Sequence, residues 1–76
     1  MREFIIGIAK ALVDDPQSVS VSEVEGRQIT VLELKVAKQD LGKIIGRQGR
    51  TADAMRTLLA AMSAKNHKKT VLEIIE

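Results

Sequence analysis

The residues best suited to chemistry form one run, Gly42-Lys43-Ile44-Ile45-Gly46-Arg47-Gln48-Gly49-Arg50. Gly46 and Gly49 stand in a G-x-x-G spacing with the polar pair Arg47-Gln48 inside it. Lys43 and Arg50 flank it, and every charge between Leu41 and Ala52 is positive. Glycines let a backbone turn sharply and approach a ligand with no side chain in the way. A helix starting near Arg50 would point its positive end at the same spot, and Arg forms paired hydrogen bonds to phosphate oxygens. Helix, glycine turn and second helix together suit an anionic phosphate backbone. Ile45 offers aliphatic surface beside the turn. A bare G-x-x-G is weak evidence, because helices often end on glycine. The aliphatic pair before it and the basic interior are what sharpen it.

The surrounding pattern says how such a turn would be held. Residues 2–13 place Phe4, Ile5, Ile8, Ala9, Leu12 and Val13 on one broad helical face. Asp14-Asp15-Pro16 ends that helix, since a residue before proline avoids helical geometry. Residues 18–24 alternate Val19 and Val21 with serines, and residues 28–36 alternate Leu32, Leu34 and Val36 with Glu33 and Lys35. With Glu25-Gly26-Arg27 as a turn between them, these read as an antiparallel hairpin. Asp40 is the expected N-cap of a short helix over 40–45, which Gly46 ends. A long helix over 50–65 carries Ala52, Met55, Leu59 and Met62 on one stripe. Asn66-His67-Lys68-Lys69 breaks it, and 70–75 form a last strand with Leu72 and Ile74 on one face. The order α-β-β-α-α-β predicts an α+β, two-layer sandwich: a three-stranded sheet covered on one face by three helices. The open face is expected to carry mainly serines, Glu33, Lys35, Lys69 and Glu73.

Composition narrows the function. A chain of 76 residues predicts one domain over 1–76, burying only about 60% of its unfolded surface. It has no cysteine and a single aromatic, Phe4, so thiolate metal sites and a base-stacking aromatic platform are both excluded. Net charge is only +2, so the clustering of positive charge matters more than its sum. The short apolar patch at the N-terminus is not expected to be a secretory leader, and the expected location is the cytoplasm. No Ser/His/Asp set, metal-ligand cluster or Walker-type loop is present, which predicts neither enzyme nor cofactor nor metal. His67 is expected to be a solvated loop residue, and Asp14-Asp15 to be punctuation before the proline.

Ile44-Ile45-Gly46-Arg47-Gln48-Gly49, with aliphatic positions following at Met55 and Leu59, resembles the KH family of RNA-binding domains. The element order is similar to the type II, mainly bacterial, form, and the likeness covers essentially the whole chain. Its length, its opening helix with Asp14-Asp15-Pro16, and Ala37-Lys38-Gln39-Asp40-Leu41-Gly42-Lys43 resemble the small stand-alone bacterial members. The resemblance implies binding of single-stranded RNA through Lys43, Ile44, Ile45, Gly46, Arg47, Gln48, Gly49 and Arg50. It also implies RNA chaperone activity, dimerisation, pairing with the larger protein KhpB, and a link to cell shape, cell-wall biogenesis and envelope homeostasis. The alternative is a protein-interaction or dimerisation module that does not touch RNA. Three basic residues, Lys43, Arg47 and Arg50, would set a salt slope near −2 for a single strand, from about −0.7 per contact.

A second apolar face on the long helix, Ala54, Leu58 and Ala61, has small residues that would let another helix approach closely. Two occupants are open at this point: a second copy of the chain, giving a homodimer, or the first helix through Phe4 and Ile8.

Overall fold

The computed structural model describes residues 1–65 and 67–75. Helix α1 spans Arg2–Leu12, strands β1 and β2 span Ser20–Glu25 and Ile29–Lys35, helices α2 and α3 span Leu41–Ile45 and Arg50–Ala64, and β3 spans Lys69–Ile75. Three-residue 3-10 turns stand at Pro16–Ser18, Lys38–Asp40 and Arg47–Gly49. The α-β-β-α-α-β order is the one expected, and the α+β architecture is that of a type II KH fold. The helix-breaking segment over 66–69 includes Asn66, which lies outside the described residues.

The sheet order is β1-β2-β3. The hairpin pairs antiparallel, with Val21 opposite Leu34 and Val24 opposite Val31. Strand β3 joins the other edge of β2 in parallel, with Leu72 beside Leu32 and Ile74 beside Leu34. A parallel neighbour requires a crossover, and here α2, the glycine turn and α3 make it. The inward row is fully apolar at the centre: Leu32 and Leu34 have no exposed surface, nor do Ile5, Ile44 and Leu59. Helix α1 packs on β1 and β2, and α3 on β3. Helix α2 touches mainly the other two helices, bridging them while Ile44 reaches the core.

Several expectations are corrected. Only Ile5, Ala9 and the following Val13 of the first helical face are buried. Phe4 and Leu12 stay 40% and 39% exposed, because an 11-residue helix across a narrow sheet buries a stripe and not half a cylinder. The first strand begins at Ser20, since Pro16–Ser18 is taken by a turn. On α3, Met62 is only half-buried and Ser63 takes the inward place, donating its hydroxyl to Ala60 O. The open sheet face is less polar than expected: Val24, Val31 and Val71 form a row across it, with Ile29 and Ile75 at its ends. Period-two alternation marks two faces but cannot by itself say that both carry valines.

Candidate nucleic-acid interface

The turn between α2 and α3 is built by three residues of positive φ. Gly46 leaves α2 at φ 76°, ψ 173°, a region essentially restricted to glycine. Gln48 (φ 58°, ψ 26°) and Gly49 (φ 75°, ψ 10°) are left-handed. The amide of Gly46 donates to Gly42 O at 2.9 Å and that of Gly49 to Gly46 O at 3.1 Å, and Arg50 N–H donates to Arg47 O. Successive backbone N–H groups in a turn of this conformation form an anion-binding concavity.

The two glycines are needed for different reasons. A Cβ on Gly46 would stand 2.2 Å from Thr51 Oγ1 and 2.9 Å from Thr51 N, so the start of α3 lies directly against it. A Cβ on Gly49 would meet open space, leaving only its positive φ to favour glycine.

Of the residues singled out from sequence, the structure brings Gly46, Arg47, Gln48, Gly49 and Arg50 together at the apex, with both arginines and Gln48 exposed. Ile45 is 39% exposed. It shares a shallow groove of about 420 Å³ with Leu41, Gly49, Ala52, Asp53, Arg56 and Ile74. Ile44 is completely buried and so holds α2 in place without reaching this surface. Leu41, Asp53, Arg56 and Ile74 were missed in the sequence. Leu41 and Ile45 do share a helical face, four residues apart. Nothing local places Ile74 of β3 beside them. The Arg56 guanidinium crosses the groove wall, its Nε–H donating to Leu72 O at 3.4 Å, while Nη1 lies 3.5 Å from Asp53 Oδ1.

Lys43 points elsewhere. Its ammonium donates to the Asp14 carboxylate and lies 3.4 Å from Asp40 Oδ1. Asp40 is not a cap for α2. It sits in helical geometry without a side-chain cap bond, fully buried. Its two oxygens receive the backbone N–H groups of Asp14 at 3.1 Å and Asp15 at 3.0 Å. Burial pushes the Asp40 carboxyl up, but the two N–H donors and Lys43 outweigh it and hold it below the ordinary 3.8. The Lys43 ammonium is held above the ordinary 10.5, first by its bond to Asp14 and against the opposing effect of burial, with Asp40 adding to it. This node ties the corner after α1 to the helix that enters the turn.

The chain matches the family model described as KhpA/KhpB, KH domain, over residues 2–74. It is 52% identical over 75 residues to the RNA-binding protein KhpA of Caldanaerobacter subterraneus subsp. tengcongensis, covering 99% of this chain and all of that one. It is 53% identical over 75 residues to RNA-binding protein KhpA of Clostridium acetobutylicum, with the same coverage. To RNA-binding protein KhpA of Chlamydia pneumoniae it is 49% identical over 76 residues, covering all of this chain and 97% of that one. No solved structure matches the chain.

Two predictions test this geometry. In urea denaturation, Gly46→Ala is expected to lose about 2–3 kcal/mol, from backbone strain and contact with Thr51, and Gly49→Ala about 1 kcal/mol. Equal losses would mean that Thr51 yields freely. Asp40→Asn turns one acceptor into a donor facing a backbone N–H, and is expected to lower the thermal midpoint by roughly 5–10 °C at pH 7. Because the folded Asp40 carboxyl lies below 3.8, its contribution is present above that value and lost as pH falls through the lower, folded one. Melting at pH 7 and pH 3 should therefore show the penalty shrinking in acid.

Proposed function

The chain belongs to the KhpA/KhpB family of KH domains, and from that premise we propose that it binds single-stranded RNA by clamping phosphates at the turn over 46–49. The observation that carries this reading is the turn of positive φ at Gly46, Gln48 and Gly49, which sets its backbone between the exposed side chains of Arg47 and Arg50. A phosphate seated there accepts from backbone N–H groups of the turn and from both guanidiniums. A KH loop of this kind holds the backbone of about four nucleotides. The bases then lie in the groove against Ile45, Leu41 and Ile74, without aromatic stacking. Gly46 and Gly49 permit the approach, Ile44 anchors α2 from below, and Lys43 lies one turn from the loop with its charge already paired.

In this reading the chain is a non-catalytic RNA chaperone or post-transcriptional regulator of the cytoplasm. The family resemblance adds association with KhpB and a role in cell shape and cell-wall homeostasis. No helix among the described residues is long and apolar enough to cross a membrane.

We also infer a homodimer through Ala54, Leu58 and Ala61. Leu58 is 45% exposed, and with Ala61, Met62 and Lys65 it lines an apolar hollow of about 330 Å³. The first helix packs chiefly on β1, β2 and α2, and its Phe4 is itself exposed, so it leaves this face of α3 open. Exposed apolar patches on small proteins usually mark contact sites.

Arg47→Asp with Gln48→Asp is expected to abolish binding of a random single-stranded RNA in a filter assay, with an unchanged circular dichroism spectrum. RNA retained by a folded variant would sink the clamp and put the RNA on another surface, whereas a wild type that binds no RNA would favour a purely protein-binding module. For the wild type, two phosphate contacts predict a slope of log K against log salt near −1.4. For the interface, sedimentation should show a dimeric wild type and a folded, monomeric Ala61→Asp. A wild type that stays monomeric at high concentration would remove the idea.

A further inference from the structure

We propose that Asp14 withholds Lys43 from phosphate, so that the corner between α1 and β1 sets the strength of the clamp. The inference rests on the RNA-binding reading and assigns a role to a residue outside the loop.

Lys43 lies three residues before Gly46, on the last turn of α2. That places it within one helical turn of Gly46, and the lysine stem is long enough to bring its ammonium over the turn. The structure instead turns it back onto two carboxylates. The two are not equivalent. Asp40 is buried, and two backbone N–H groups already satisfy its oxygens at 3.0 and 3.1 Å, with the lysine at a longer 3.4 Å. Asp14 makes the closer contact. Its side chain is 79% exposed, and among the described residues Lys43 is its one side-chain partner. Removing the Asp14 carboxylate therefore leaves the buried node whole: the Asp14 and Asp15 amides still reach Asp40, and Lys43 still has its weaker contact there.

The Asp14 carboxylate thus does little for the fold and occupies the one basic side chain that α2 could add to the turn. An RNA phosphate arriving there competes with it. Both ion pairs are solvent-exposed and screened, so the exchange is nearly balanced. Small changes at the corner then shift how often Lys43 joins Arg47 and Arg50. Asp15 is a natural comparison. It carries the same charge next door, but its carboxylate accepts the Ser18 hydroxyl at 2.6 Å and is not paired with Lys43.

The test is RNA binding over a salt series for the wild type, Asp14→Asn, Asp15→Asn, and Asp14→Asn combined with Lys43→Gln, with folding checked by circular dichroism. Asp14→Asn is expected to tighten binding about 2–5-fold at low salt and to steepen the slope from near −1.4 to near −2. Asp15→Asn should give less than half that gain and leave the slope alone. The double variant should lose the gain. A gain in affinity is not something structural damage produces. Wild-type binding with no tightening in Asp14→Asn overturns the proposal and leaves the clamp standing. An equal gain from Asp15→Asn, or a gain that survives loss of Lys43, also overturns it, since the effect would then be general charge. A wild type that binds no RNA overturns this proposal and the clamp together.

Discussion

Parallel pairing of β2 and β3 is the constraint on which the rest of this structure depends. Two parallel neighbours cannot be joined by a tight turn, so the chain must leave the end of β2, cross the sheet and return. Here that crossing is made by two helices instead of one. The short α2 and the long α3 meet at an angle, and the angle needs a residue with φ and ψ that only Gly46 tolerates. The turn at the apex is thus a consequence of the topology. Its backbone lies where the outgoing helix has ended and the next has not yet begun.

A five-residue helix has little stability of its own, and α2 is held by tertiary contacts at both of its faces. Ile44 is driven into the core between α1 and α3. On the other side, Asp40 draws the corner after α1 toward the start of α2 through two backbone hydrogen bonds. A buried carboxylate is costly unless its oxygens are satisfied, and here backbone and lysine supply the partners. The same node removes Lys43 from the basic cluster, so the held geometry and the charge offered at the apex are coupled through three side chains.

The groove gives a small domain without an aromatic platform an aliphatic surface beside the turn. Ile45 from α2, Ala52 from α3 and Ile74 from β3 converge there because the crossover lays both helices beside the β3 edge. Arg56 closes one wall by holding a strand carbonyl. The open face of the sheet plays no part in this arrangement, although its valine row leaves it more apolar than alternation alone implies.

Sequence by itself determined the element order, the inward rows Leu32-Leu34-Val36 and Ala52-Met55-Leu59, the end of α2 at Gly46, and the gathering of Arg47, Gln48 and Arg50 at one turn. These are local properties: periodicity tells which face of an element is apolar, and glycine tells where a helix can stop. Tertiary structure alone decided the rest. It placed β3 parallel to β2, brought Ile74 and Arg56 to Ile45, and left Phe4 and Leu12 outside the core. It made Asp40 a buried acceptor for amides 25 and 26 residues away, and gave Lys43 to Asp14, 29 residues away. A carboxylate before a helix looks the same in sequence whether it caps that helix or receives a distant corner. Only the packing of α1 against α2 brings those two amides within reach.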